Sequence, residues 1–298
     1  MREALVGLAT RYYRKAKTYM LTRQPPVLTP LFFHAVEIVD KVLSPRRQSA
    51  EERRANTLWK QQYLAYWTAN EGLRLKVKSD YPVAHGSDDH RYPRGTVFDN
   101  SVNYRFNLKL YETLGFPERI AVMDLGCAGG GMVRSFLEDG HIAIGLEGSD
   151  TSKRLRSGEW DTIPFHLFTC DITKPFLVTD WHDRAFLFDV ITAWEVLEHI
   201  PEEALDGLIR NIHRHLKPEG YFIGSVDLLP DGNPLTGAVY HRTLKPGDWW
   251  LAQFTTRGLV EVKPHGFTRR DMVRGNGLSL KDWRPEDGGG IHLILRKA

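Results

Sequence analysis

The sequence predicts an α/β fold: a doubly wound, mostly parallel, seven-stranded sheet preceded by a helical extension. Three observations point to it. Seven short apolar runs alternate with helical stretches from residue 119 onward, as strands do when helices cover both faces of their sheet. The first run opens into a glycine-rich turn followed by a helical pattern. Acids close the first three runs, at the strand ends where a parallel sheet gathers its ligands.

With 298 residues the chain is long enough for one large core domain and an extension. No apolar run approaches the roughly 18 residues needed to cross a bilayer, so no transmembrane segment is expected. "ALVGLA" near the start is interrupted by Thr10 and Arg11 and lacks a small-residue cleavage pattern, so no cleaved secretory signal is expected. Two cysteines, Cys127 and Cys170, exclude a disulfide framework and a four-cysteine zinc site and fit a reducing cytoplasm. Both read as small buried fillers.

The net charge of +3 hides an asymmetry. Residues 1–78 hold 15 Lys/Arg against 6 Asp/Glu, or +9, which leaves 25 against 31, or −6, for the remainder. This front segment reads as a basic helical N-terminal extension. Leu31, Phe32, Ala35, Ile38, Val39 and Val42, then Leu58, Tyr63, Tyr66 and Trp67, recur at helical spacing around a break at "SPRRQS". "TRYYRKAKTYMLTR" mixes cations with aromatics, which suits RNA, an acidic membrane surface touched peripherally, or an acidic partner. A solvated helix with inward tyrosines explains it more simply.

Residues 79–118 read as a lid or linker leading into the core. Their first part, "SDYPVAHGSDDHRYPRGTVFDN", is dense in Pro, Gly, Asp and His. Residues 119–298 carry the seven runs: "RIAVMDLG", "HIAIGLEG", "FHLFTCD", "FLFDVITAW", "GYFIGSVD", "LVEVKP" and "IHLILRKA".

In "VMDLGCAGGGMVRSFLEDG" an acid ends the first strand, the glycine-rich turn follows, and a helix runs through Met132, Val133, Phe136 and Leu137. Residues without bulky side chains let the backbone turn tightly and offer amides to a ligand. The spacing Gly126-x-Ala128-x-x-Gly131 also imitates the nicotinamide fingerprint, so the turn alone is weak evidence. Its surroundings separate the two. Asp124 precedes the first glycine, Glu147 ends the next strand 23 residues later, and Asp171 ends the third. A carboxylate at Glu147 can accept both hydroxyls of a ribose.

With these features the sequence strongly resembles class I S-adenosylmethionine-dependent methyltransferases, whose first motif reads roughly D-x-G-C-G-x-G. The resemblance implies S-adenosyl-L-methionine as cofactor. It assigns the loop Asp124, Gly126, Cys127, Ala128 and Gly130 to the methionine part, Glu147 with Gly148 to ribose, and Asp171 with the backbone of Ile172 to adenine; Trp194, ending the fourth strand, completes the set. Ala128 stands where the family usually has glycine. The likeness continues through "FDVITAWEVLEHIPEEALDGLIRNIHRHLKPEGYFIGSVD", in the order strand, helix, "LKPEG" turn, strand.

"AWEVLEHIP" supplies the chemistry. If the chain turns into a helix after Trp194, then Glu195, Glu198 and His199 fall at i, i+3 and i+4 and converge on one face. With His241 from "VYHRTLKPGDWW" they form a candidate metal set for Mg²⁺, Mn²⁺ or Zn²⁺. A similar Glu-x-x-Glu-His cluster occurs in metal-dependent methyltransferases of small-RNA 3′ ends and of quinone biosynthesis, while many metal-free relatives carry "EHIP" only to order a loop. His199 and His241 are the candidate catalytic residues, because an imidazole titrating near 6.5 can take a hydroxyl proton at neutral pH.

An alcohol benefits from such help in methyl transfer more than an amine or thiol does, so the cluster argues for O-methylation. The expected acceptor is a small molecule or glycan: a carbohydrate or sugar-containing metabolite met by His85, Asp88, Asp89, His90 and Arg91 of the lid and by His241, Arg242, Trp249 and Trp250. At least one of those tryptophans is expected in the core. Asn103, Tyr104 and Arg105 are further candidates beside the methionine end, against the reading of an ordinary helix surface. Ribose 2′-O-methylation of RNA is the alternative, disfavoured by a net acidic catalytic region without a nucleic-acid motif. A noncatalytic scaffold of the same fold is the third reading.

Overall fold

The computed structural model describes residues 50–85, 99–233, 237–272 and 289–298. By contacts, the described residues from Lys60 onward, apart from Gly237, make one compact unit, and residues 50–59 belong to another. The basic stretch at 10–23, the apolar positions from Leu31 to Val42, and Asp88, Asp89, His90 and Arg91 of the lid lie outside the described residues.

Helix α1 (Ala50–Ala69) leads through a short turn to strand β1 (Lys76–Ser79), which crosses the boundary expected between extension and lid. Helix α2 (Tyr104–Thr113) begins where the Asn103 side chain accepts the Phe106 N–H at 3.1 Å. Next come β2 (Ala121–Leu125), α3 (Gly131–Glu138), β3 (Ile142–Glu147), α4 (Thr151–Leu155), β4 (Leu167–Thr169), β5 (Phe176–Thr179) and β6 (Phe188–Trp194). Then follow α5 (Leu205–His215), β7 (Leu216–Asp227), the short β8 (Gly232–Asn233) and β9 (Ala238–Val239), α6 (Gly247–Thr255), β10 (Leu259–Glu261), α7 (Arg269–Met272) and β11 (Gly290–Lys297).

Seven strands form one sheet in the order β10-β11-β7-β6-β2-β3-β4. The five from β7 to β4 are parallel, while β11 runs antiparallel to both β7 and β10. All seven expected strands are present. Every residue of β2 is buried, as a central strand covered on both faces requires. The expected "LKPEG" turn is instead part of β7: register jumps from Phe188↔Leu216 to Val190↔Tyr221, and Glu219 takes a left-handed φ of 61°. The extra residues loop out as a bulge, which lets the strand begin directly at the end of α5.

Helix α5 buries Leu205, Leu208, Ile209 and Ile212 along one stripe. In the same core cluster α6 inserts Trp250 and Phe254, both fully buried, and Phe254 stacks on Phe222 of β7 at 5.0 Å. Cys127 and Cys170 are buried free thiols, and burial pushes the Cys170 thiol up to about 11.

Strand β4 is the sheet's edge, and α1 packs beside it. Tyr63 hydrogen-bonds His166 just before β4, Trp67 meets the same imidazole edge-on at 4.7 Å, and the Arg74 guanidinium sits 3.7 Å over Phe165. Strand β1 pairs antiparallel with β5 in a separate two-stranded sheet, and Lys76 and Lys78 both meet Asp183. This pair was not foreseen, since neither run alternates apolar and polar residues for long enough to read as a strand.

Two buried histidines make the fold acid-sensitive. Burial holds His166 down to about 3 and His215 down to about 4. His215 needs its neutral form: Nδ1 faces the Asn211 carbonyl at 2.8 Å while Nε2 accepts the Val178 N–H at 3.2 Å. The unfolded chain takes a proton near pH 6.5 and the folded one does not, so stability is whole above 6.5 and falls as pH drops toward 4. For His215 that amounts to up to about 3 kcal/mol. Urea melts at pH 7.5 and pH 5 should show a stability difference that His215→Gln reduces; an unchanged difference refutes the assignment.

Candidate active site

Parallel register sets the carboxyl ends of the strands level. Leu125 pairs with both Leu146 and Ala193, Glu147 with Thr169, and Trp194 with Ser225. The order reverses at β2, between β3 and β6, and ligands of such sheets bind outside that switch point.

The glycine loop after β2 curls there through three left-handed residues, Gly126 (φ 66°), Ala128 (φ 50°) and Gly130 (φ 88°). At Ala128 a methyl replaces the hydrogen that the conformation prefers, at a cost of about 1–2 kcal/mol. Glu147 offsets it. Its Oε2 accepts the Ala128 N–H at 2.9 Å and its Oε1 the Ser149 N–H at 3.0 Å, and bonds to an ionised group contribute about 1.5–3 kcal/mol each. Asp124 at the end of β2 accepts the Thr192 hydroxyl at 2.7 Å, tying β2 to β6. Cys127 is turned inward against Gly145, so it shapes the loop through packing and through its carbonyl, which accepts the Gly130 N–H.

A second layer braces the loop. The Trp160 indole N–H donates to the Ala128 carbonyl at 2.8 Å, the Gly129 N–H to Asp99 O, and the Glu159 N–H to Gly129 O. Glu159 pairs with Arg134 at 3.0 Å and accepts from Asn100 at 2.9 Å. Trp160 and Glu159 did not stand out in the sequence.

S-adenosylmethionine is the cofactor this loop implies, and the polar groups fit it. Asp171 spends Oδ1 on the Thr173 N–H and hydroxyl, while its Oδ2 makes no hydrogen bond among the described residues. The Ile172 carbonyl accepts from Asn211 at 2.9 Å, whereas its N–H likewise bonds to nothing described. An acceptor and a donor side by side at the tip of β4 match the amino group and ring nitrogen of adenine. Trp194 is buried against Phe106 at 4.9 Å with no hydrogen-bond partner for its indole nitrogen.

The Glu/His turn is built differently from the expectation. No helix follows Trp194: Glu195 is left-handed (φ 52°), Leu197–His199 is one 3-10 turn, and α5 starts only at Leu205. Glu195 takes this conformation because its N–H is held by Ser225 of β7, with the hydroxyl at 3.2 Å. The i, i+3, i+4 face therefore does not form. Val196 instead packs onto Gly126, where a Cβ would lie 2.3 Å from its methyl, so the turn rests on the glycine loop.

Glu198, His199 and His241 converge, each offering a ligand atom within 4.8 Å of the others; Glu195 is outside this group. The two imidazoles lie 4.9 Å apart, nearly perpendicular. The Glu198 carbonyl accepts the N–H groups of Arg242 (2.7 Å) and Thr243 (3.0 Å), which fastens the distant His241 segment to the turn. His241 Nδ1 faces the Leu229 carbonyl at 2.5 Å, so Nδ1 carries the proton and Nε2 presents its lone pair. Glu198 is fully buried: Oε1 accepts the Asp227 N–H at 3.2 Å and Oε2 has no hydrogen-bond partner. Burial, with the charge of Glu195, raises its carboxyl well above the usual range.

A family model described as a methyltransferase domain matches residues 100–277, more than half the chain. This chain belongs to the class I S-adenosylmethionine-dependent methyltransferases. No curated protein matches it by sequence. Solved structures similar to this methyltransferase include the N-methyltransferase NodS of Bradyrhizobium japonicum with S-adenosylhomocysteine, at 18% identity, 65% of this chain, 86% of that chain and a TM-score of 0.40. The glycopeptide N-methyltransferase MtfA with S-adenosylmethionine is similar at 17% identity over 66% and 94%, with a TM-score of 0.42. The mitomycin 7-O-methyltransferase MmcR is similar at 13% over 65% and 53%, with a TM-score of 0.42.

Other candidates in the methyltransferase take varied positions. Asn103 caps α2 and donates to Asp271 O, and Arg105 pairs with Asp271 at 3.0 Å. Tyr104 is an exposed surface residue. Trp250 is core, and Trp249 packs edge-on against it at 5.2 Å under Lys245, so neither tryptophan is a bare stacking platform. His85 is exposed at the end of the described part of the lid.

Removing Glu147 should undo both its own contacts and the loop conformation. Calorimetry with S-adenosylhomocysteine should show Glu147→Ala weakening affinity by about 10–100-fold; wild-type affinity would refute the role of this carboxylate.

Proposed function

We propose that this methyltransferase methylates a hydroxyl of a carbohydrate or sugar-containing metabolite, with His199 or His241 taking the proton. The observation that carries the reading is the imidazole pair, His199 on a turn seated against the glycine loop and His241 on the segment fastened to that turn. S-adenosylmethionine, when bound, supplies an electrophilic methyl group. The chain's own residues must then orient the acceptor oxygen, exclude water and receive its proton. The Leu229 carbonyl holds His241 in the tautomer whose Nε2 can accept one.

The charges nearby favour a neutral polyol over RNA. Glu195 acts electrostatically on Glu198 and Asp231 on Asp227 beside the pair, an acidic setting that disfavours a phosphate backbone and suits hydroxyl donors. With two free buried thiols, we place the reaction in the cytoplasm.

A second reading rests on the orphaned Oε2 of Glu198, a buried acceptor with no donor. Glu198, His199 and His241 would hold a divalent cation, Mg²⁺ or Mn²⁺, with Glu195 outside the ligand set. Two imidazoles and one carboxylate suit Mn²⁺ better than Mg²⁺, which prefers oxygen. Such an ion would act on the acceptor oxygen as a Lewis acid.

Transfer of labelled methyl groups to a panel of sugars and RNAs should give alkali-stable ethers on sugar hydroxyls; label only on amines or RNA refutes the proposal. His199→Ala and His241→Ala should leave S-adenosylhomocysteine affinity within about twofold, and at least one should lower kcat by about 100-fold or more. For the metal, Mn²⁺ should raise Tm in the wild type and not in Glu198→Gln. Equal shifts in both proteins exclude this ligand set.

A further inference from the structure

Residues 80–85 lie ahead of the stretch matched as a methyltransferase domain, which begins at residue 100. The pairing of β1 with β5 ends at Ser79↔Phe176 and delivers them to the carboxyl edge of the main sheet. There the backbone is fixed twice. The Asp171 N–H donates to the Tyr81 carbonyl at 2.9 Å, and the Ala84 N–H donates to the Gly148 carbonyl at 2.8 Å. The segment thus bridges from the tip of β4 to the tip of β3, between the adenine-facing acid and the residue after the ribose-facing acid. Ala84 is buried, while the Tyr81 side chain remains 46% exposed on a stretch otherwise held by main-chain bonds.

We propose that residues 80–85 form the outer wall of the adenosine half of the cofactor site, with Tyr81 its principal contact to the nucleoside. The family domain supplies the floor: Glu147, Asp171 and the Ile172 N–H. The chain-specific segment supplies a side. Tyr81 is anchored by its carbonyl to the N–H of Asp171 and keeps an exposed aromatic side chain, which is suited to cover a purine, whose faces are apolar and whose edges are polar. Because two main-chain bonds tie the segment to the sheet among the described residues, cofactor binding and docking of residues 80–85 are linked: whatever the wall adds to affinity, bound cofactor returns as protection of the wall.

Two measurements on the full chain test this with S-adenosylhomocysteine as the probe, and neither needs an acceptor, so their failure is distinct from failure of the proposed hydroxyl chemistry. Calorimetry should show Tyr81→Ala weakening binding about tenfold, as loss of a base–aromatic contact does, with Tyr81→Phe close to wild type. Wild-type affinity in Tyr81→Ala overturns the contact. Amide exchange on the wild-type protein should slow at residues 81–84 when S-adenosylhomocysteine is added. If the alanine variant does not fold, this second experiment decides alone, and unchanged exchange at 81–84 overturns the wall.

Discussion

One carboxylate holds the site together. Glu147 ends β3 and reaches across to β2, where it receives the N–H of Ala128 while also receiving that of Ser149. The loop needs that support because Ala128 occupies a left-handed conformation that a side chain resists. Two hydrogen bonds to an ionised acceptor outweigh a strain of about 1–2 kcal/mol, so the loop can keep its curl with a methyl present. Everything nearby inherits its position from that curl. Trp160, Asp99 and Glu159 bond to the carbonyls and amides it presents, and Val196 fits where Gly126 has no side chain. The Glu198–His199 turn is thus seated on the glycine loop, and the loop is held by an acid from the neighbouring strand.

The same economy of placement governs the sheet's outer edge. Strand β4 has a neighbour on one side only, and an open edge invites pairing with other chains. Helix α1 lies beside its approach through Tyr63, Trp67 and the buried His166, and the strand pair β1–β5 continues past it. This covering commits a histidine to neutrality, which makes the fold weaker in acid. It also brings residues 80–85 over the tips of β3 and β4. An extension that first protects an edge ends up beside the cofactor crevice.

The core was legible because each buried strand is a short apolar run ended by an acid or a glycine. Asp124, Glu147 and Asp171 could be ranked by that position alone, and their strands lie where the pattern puts them. The route of the chain after Trp194 was not legible. Helical spacing of Glu195, Glu198 and His199 suggested one face, yet Ser225, thirty residues away on β7, captures the Glu195 N–H and forces a left-handed residue that ends the strand abruptly. A tertiary bond overrode a local pattern, and the convergence of Glu198 and His199 with His241 follows from a 3-10 turn instead. Nor could the sequence say which of Trp249 and Trp250 is core, since an apolar helix face and a stacking platform read alike until a partner such as Lys245 over Trp249 is known.

The turn carries an energetic cost. Glu198 is wholly buried, its Oε2 lacks a donor, and Glu195 stands near enough to disfavour its ionisation. A packed apolar side chain there would be less costly, since an unsatisfied buried acceptor forfeits about 1–3 kcal/mol. Its carbonyl already fastens the His241 segment, and any residue would supply that carbonyl equally well. The carboxyl group adds one further tie, the Asp227 N–H donated to its Oε1 at 3.2 Å. What it also provides is a third proton-binding group within 4.8 Å of two imidazoles, one of which is fixed by Leu229 in the form that presents Nε2. Local instability concentrated on three chemically capable side chains, over a rigid loop, is the arrangement expected where stability has been exchanged for reactivity.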